Sequence, residues 1–203
     1  MRQIVIPIIL AILSISCMGE AKEKLKKAKT GFSNATSIVK DVSSMESKIE
    51  ELKEATPLTH EQLKSWLPHE LDDLKRTAFK TGQAGMYKVN SVEGVFKNED
   101  NGREVKITIV DGAGPTGSMM AAGYGMLGNL DMEEEDEQKH RKAVEVSGVK
   151  AQQTYYKKRN STQLMFSYSN RFLVTFFGNE IGPEESWKLV KQLKLEALVE
   201  LAE

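Results

Sequence analysis

The chain has 203 residues, 40% of them hydrophobic and 28% charged, with a formal net charge of −1. That length can bury a real core, and the balance is that of an ordinary globular protein, which excludes the disordered and fibrous classes. Near-neutrality leaves no whole-protein basic field, so no nucleic-acid partner is expected.

The chain opens with MRQIVIPIILAILSISC: one cation at Arg2, an apolar run over residues 4–13, then small residues ending at Cys17. This is the three-part pattern of a secretory signal. A bilayer-spanning helix needs ~20 apolar residues, more than the run supplies, and Pro7 interrupts it. Cys17 is the single cysteine, so an intramolecular disulfide is excluded. The stretch resembles the lipobox of bacterial lipoproteins, in which the cysteine is lipidated and becomes the first mature residue. Ser16 fits the small position before it, whereas Ser14 stands where Leu is usual and Leu13 lies one step early. The resemblance implies a signal peptide over residues 1–16, attachment of acyl chains such as palmitate at Cys17, and a membrane partner through that anchor. Met18, in place of the Asp that retains enteric lipoproteins at the inner membrane, favours the outer membrane, at its periplasmic face or the cell surface. The alternatives are a plain secretory signal cut near Ser16, leaving a free thiol, or a short buried cysteine. An unpaired cysteine is unusual in an exported protein.

Residues 17–34 are polar and lysine-rich and read as a tether. Residues 35–75 read as a helical segment. Ala35, Ile38, Val42, Met45, Ile49 and Leu52 alternate spacings of three and four, which sets them on one stripe of a helix ending at Thr56-Pro57. The pattern is shorter than the ~3–4 heptads that mark a coiled coil. Thr59 and Gln62 form a capping box for a second helix, with Leu58 and Leu63 as its staple, and Pro68 ends it. Residues 69–74 read as one more short turn.

Residues 76–203 read as an α+β domain. Tyr87 and Val89 alternate in one phase and Val92 and Phe96 in the other, which predicts a bulge or bend near Asn90-Ser91. Asn101-Gly102 is a strong hairpin signal, and Val105, Ile107 and Ile109 alternate with polar residues after it, so two antiparallel neighbours are expected. The glycine segment DGAGPTGSMM follows, then a helix to about Leu130. Val144 and Val146 lead through Ser147-Gly148 to Val149, Ala151, Gln153 and Tyr155. Leu164, Phe166 and Tyr168 lead through Ser169-Asn170 to Phe172, Val174 and Phe176. Each is a hairpin pattern. The end, GPEESWKLVKQLKLEALVELA, reads as one amphipathic helix with Pro183 at its start and a stripe of Trp187, Val190, Leu193, Ala197 and Leu201.

Gly112, Gly114 and Gly117 fit GxGxxG, and strand, glycine loop and helix are the parts of a nucleotide site. The chemistry is missing. Ser118 and Met119 occupy the places of the P-loop lysine and its following hydroxyl, and the preceding strand belongs to a hairpin instead of a βαβ unit. No nucleotide partner is expected. Gly117, Ala121 and Gly125 instead make a small-residue face on the helix, allowing close approach of another element. The run Asp131, Glu133, Glu134, Glu135, Asp136 and Glu137, with His140 behind it, has one half of a carboxylate di-metal spacing and no second half. A solvated loop or helix end is expected there, with a weak calcium site as the sharper alternative. No GxSxG elbow or HExxH is present, and no cofactor or metal is expected.

Tyr156 and Phe177 fall on the phase opposite to their strands' main apolar face. They are the candidate binding patch, unless a second covering helix meets them. The element order predicts an antiparallel sheet of about six strands covered by helices. VSGVKAQQTYY, LMFSYSNRFLVTFFG and PEESWKLVKQL are similar to the C-terminal half of PsbP-like domains of exported lipoproteins, over about a third of the chain. That resemblance implies an assembly or binding role, with a protein partner in the cell envelope. An envelope hydrolase with a non-contiguous site, and a small-ligand binder on the sheet face, are the alternatives.

Overall fold

The computed structural model describes residues 47–84, 89–127 and 130–203. The chain divides into Met1–Ser44 and Met45–Glu203, and every described residue belongs to the second unit. The expectations for the signal peptide, Cys17, the tether and the first part of the helical stripe lie outside the described residues. Among the described residues no helix is long and apolar enough to cross a membrane.

Helix α1 (residues 47–54) carries Ile49 and Leu52 of the predicted stripe, both half-buried. Helix α2 (His60–Trp66) starts as its sequence dictates. Gln62 N–H donates to Thr59 Oγ1 at 3.2 Å and Thr59 N–H donates to Gln62 Oε1 at 2.9 Å. Leu58 and Leu63 are buried in one cluster beside it. The short turn expected next is a strand pair, β1 (Glu70–Leu71) and β2 (Leu74–Ala84). Leu71 and Leu74 face each other in register and are wholly buried, with Asp72 at φ 55 turning the chain.

The remaining strands are β3 (Val89–Lys97), β4 (Glu104–Asp111), β5 (Glu133–Glu135), β6 (Lys139–Val146), β7 (Val149–Tyr156), β8 (Ser161–Tyr168) and β9 (Phe172–Asn179). The sheet therefore has nine strands, ordered β1-β2-β3-β4-β9-β8-β7-β6-β5, instead of about six. The three unanticipated ones are β1, β2 and β5. All neighbours are antiparallel, so the architecture is two meanders joined along β4 and β9. The predicted turns hold: Asn101-Gly102 lies between β3 and β4, while Ser147-Gly148 and Ser169-Asn170 join their strands with both residues at positive φ. The bulge expected at Asn90-Ser91 is absent, because β3 pairs with β4 and β2 without a break there. The irregularity lies in β2, between Arg76 and Ala78. Val89 is out of phase because it is buried on the other face.

Both faces of the sheet are covered in part. One carries the main core, with Phe96, Ile107, Ile109, Leu164, Phe166, Phe172, Val174 and Phe176 buried beneath α2, α4 (Pro183–Gln192) and α5 (Glu196–Glu200). The single expected C-terminal helix is two, because Lys194 adopts φ 51 between them. That break lets Leu193, Leu195 and Leu198 all bury. The other face carries a small cluster of Val89, Val110, Ala121 and Leu173 under α3 (Gly114–Leu127). Tyr124 of α3 reaches the sheet through its hydroxyl, 3.1 Å from Thr175 Oγ1.

Candidate functional site

Where the β6–β7 turn extends past β8, the amphipathic α4 lies across Phe166 and Tyr168 and leaves a cleft of about 290 Å3. Its walls come from segments distant in sequence: Val146 and Val149 from the hairpin, Phe166 and Tyr168 from β8, and Trp187, Val190 and Leu195 from the helices. Apolar surface predominates, and Glu184, Lys188, Lys191 and Glu196 stand on the rim. Trp187 is fixed at both ends. Its ring lies 5.7 Å from that of Phe166 at 33°, and its indole N–H donates to Gln153 Oε1 at 3.0 Å. Burial first, and then the charge of the Glu196 carboxylate and its hydrogen bond, hold the Tyr168 hydroxyl above the ordinary tyrosine range. Tyr168 therefore presents a neutral hydroxyl beside an apolar floor. A concave apolar site with a few placed polar groups is the usual form of a ligand pocket, and this one has room for a small ligand or one large side chain of a partner.

The sequence-predicted pair lies elsewhere, on the face that carries α3. Tyr156 and Phe177 are half-buried, their rings 6.5 Å apart at 59°, and neither joins a core cluster. Register explains the pairing: Phe177 sits between Lys106 of β4 and Gln163 of β8, and Tyr156 lies one strand further on, opposite Ser161. The Arg159 guanidinium is stacked 5.1 Å from the Tyr156 ring centroid.

The glycine loop closes on the protein itself. The Asp111 carboxylate, wholly buried, accepts from Leu58 N–H at 2.7 Å, Ala113 N–H at 3.0 Å, and Arg171 Nε and Nη2 at 2.8 and 2.9 Å. Gly112 N–H donates to the Arg171 carbonyl at 2.9 Å. The Gly112 and Ala113 amides are thus directed at internal acceptors. A methyl group on Gly117 would meet the Gly112 carbonyl oxygen at 2.8 Å, and Ala121 is buried, so the small-residue face does serve close approach at these positions. At Gly125 it does not, since a Cβ there meets nothing within 4 Å.

The acidic run is exposed throughout, as expected, but its centre, Glu133–Glu135, is an edge strand and not a loop or helix end. Three of its carboxylates meet side chains of β6 and of the segment after β7: Glu133 with the His140 imidazole at 2.6 Å, Glu134 with Lys139 at 3.0 Å, and Glu135 with Lys157 at 2.7 Å. Among the described residues no group of three or more His, Cys, Asp or Glu is arranged to hold a metal ion. His69 Nδ1 lies 3.0 Å from Arg76 Nη2, and His60 is exposed on α2.

Sequence reasoning assigned Phe166, Tyr168 and Trp187 to core stripes and so missed the cleft. The one local signal was Trp187 itself, a large ring with a polar N–H amid charged neighbours. No family model, curated protein or solved structure matches the chain.

Proposed function

We propose that this protein is an exported lipoprotein, anchored to the outer membrane through Cys17, whose described domain is a non-catalytic binding module of the cell envelope. The observation that carries the binding role is the cleft of Phe166, Tyr168 and Trp187, with charges of both signs on its rim. Such a site takes an apolar or aromatic group and orients it by polar contacts at the edge. The anchor rests on the signal-like residues 1–16 and the serine-cysteine pair that ends them. The PsbP-like pattern of the C-terminal third agrees with an assembly or binding role.

Two experiments test the proposal. Metabolic labelling with an alkyne fatty acid marks the wild-type chain and not Cys17→Ala; an unlabelled wild type rejects the anchor. A photocrosslinking amino acid in place of Lys188, on the cleft rim, captures an envelope partner that the same probe at Lys75 does not, and Trp187→Ala abolishes the capture. Equal capture at both positions rejects the cleft as the binding site. A second reading is favoured by the half-exposed rings of Tyr156 and Phe177 with Arg159 stacked beside them. A ligand on that face would make Phe177→Ala, rather than Trp187→Ala, the variant that fails.

A further inference from the structure

The lane beside β2, at one edge of the sheet, is filled for only part of its length. β1 pairs with β2 at Leu74 and Lys75, and the His69 carbonyl accepts the Arg76 N–H at 2.8 Å. Beyond that point β2 pairs with β3 from Ala78 to Ala84, and among the described residues no strand lies on its outer side. Thr77, Ala78, Phe79 and Lys80 are all exposed, so this edge is open to solvent. The open stretch, Thr77 to Ala84, is roughly 26 Å of strand. Unpaired backbone donors and acceptors over such a length are a template for another strand.

The register decides which side chains an added strand would meet. The irregularity between Arg76 and Ala78 sets Arg76 opposite Phe96 and Phe79 opposite Gly94, so both lie on the face of the main core, while Lys80, opposite Glu93, lies on the other. Gly94 has no side chain to lay against Phe79, whose ring stays 45% exposed. The Lys64 ammonium and the Arg76 guanidinium stand 5.3 and 5.4 Å from its centroid. Lys80 is in no ion pair among the described residues, and Glu93 across from it is held by Lys106 at 2.9 Å. Lys75, opposite Glu70 of β1, lies outside the open lane. Residues 74–84 carry Lys75, Arg76 and Lys80 and no acid, so the edge is cationic.

We propose that the outer edge of β2 from Thr77 to Ala84 is a strand-addition site for an extended segment of a partner protein in which acidic side chains alternate with apolar ones. In such docking the main-chain hydrogen bonds supply affinity and the alternate side chains supply specificity. One face of the added strand sets carboxylates beside Lys80. The other lays an apolar side chain on Phe79, next to Lys64. A second copy is selected against, because β2 on β2 brings the three cations of each chain together with no acid between them. The edge thus repels itself and admits a strand of opposite charge. None of the residues lining the cleft belongs to β2, so the two sites are separate.

The test is hydrogen–deuterium exchange of the full chain, read by mass spectrometry over residues 77–84. The probe is a synthetic peptide of alternating glutamate and valine, matched in length to the lane. One control peptide carries lysine in place of glutamate, and another has a central proline that breaks strand pairing. The glutamate peptide slows exchange of this segment saturably, the lysine peptide binds at least tenfold more weakly, and the proline peptide leaves exchange unchanged. Lys64→Glu combined with Lys80→Glu, both at exposed positions, reverses the preference in favour of the lysine peptide, an outcome that loss of folding cannot imitate. Trp187→Ala leaves the protection unchanged and so separates this edge from the cleft. The proposal is overturned by the absence of saturable slowing, by equal binding of the two charged peptides, or by a doubly substituted chain that still prefers glutamate. Slowing that grows with the chain's own concentration in the absence of peptide also overturns it, by giving the lane to a second copy.

Discussion

Replacing Arg171 by Leu strips the buried Asp111 carboxylate of its two charge-assisted donors, at 2.8 and 2.9 Å, and leaves it the amides of Leu58 and Ala113. Breaking one side of a buried ion pair costs about 3–5 kcal/mol, because the remaining charge stays out of water uncompensated. The two surviving amide bonds place Arg171→Leu at the lower end, about 3 kcal/mol, against a total stability of ~5–15 kcal/mol. For a domain of this size that lowers Tm by about 6–12 °C. Arg171 also donates to the carbonyls of Thr56 and Ala202, at 2.9 and 3.4 Å, so the loss is shared by the α1–α2 linker, the glycine loop and the C-terminus. Urea unfolding followed by tryptophan fluorescence and circular dichroism should remain one transition, shifted to lower urea. In a double-mutant cycle, Asp111→Ala combined with Arg171→Leu should cost less than the sum, with a coupling of about 1–3 kcal/mol. The effect should be nearly independent of salt, because buried pairs are little screened. A cost under about 1 kcal/mol, strict additivity, or strong salt dependence would refute the reasoning.

Two glycines of the same segment should respond oppositely. A methyl at Gly112 would be driven into the Arg171 carbonyl oxygen, so Gly112→Ala should cost about 1–3 kcal/mol, while Gly123→Ala, in open space on a helix, should gain about 0.5–1 kcal/mol by thermal denaturation. At the sheet edge, the hydrogen bond and charge of Lys157, then His140, hold Glu135 below the ordinary carboxylate range, and the Lys139 and Gln138 amides do the same for Asp136. Depressed pKa values mean stabilisation that is present above the unfolded values of ~4 and lost as pH falls through the lower folded ones. Amide exchange in β5 and β6, corrected for its intrinsic pH dependence, should rise in that acidic window; unchanged protection would contradict the assignment. In the cleft the sign is reversed. Tyr168 is raised, so its contribution is complete below ~10 and is lost as pH rises through the higher folded value. Glu196→Gln should bring the ultraviolet titration of Tyr168 partway back, and a full return would contradict burial as the larger cause.

Legibility in the sequence followed how local the cause was. Ser147-Gly148 and Ser169-Asn170 fix positive φ within two residues, and β4, β8 and β9 carry their alternation in their own side chains, so these elements could be read directly. β5 could not. It is three exposed glutamates that form a strand by pairing with β6, with Lys139, His140 and, after β7, Lys157 beside them. β2 has little apolar signal beyond Leu74 and Phe79, and Phe79 remains 45% exposed between Lys64 and Arg76. Val89 suggested a bulge only because nothing local said that a helix covers the second face. The left-handed residue Lys194 splits the last helix without glycine or asparagine to announce it. The predicted pair Tyr156 and Phe177 needed only strand parity, whereas the cleft needed three segments to meet.

The seam between β4 and β9 also sets the order in which the chain can assemble. Each meander grows by hairpins whose ends are close in sequence, but the seam joins Asp111 to Phe172 and Glu104 to Asn179, so a long loop must close before it forms. Until then Ile107, Ile109, Val174 and Phe176 lie on two open strand edges, where apolar side chains and unpaired backbone groups invite pairing with another copy. The Asp111–Arg171 pair stands at one end of this seam, joining the last residue of β4 to the residue before β9. It acts as the latch of a late folding step, and weakening it should slow refolding and favour aggregation at a given final stability.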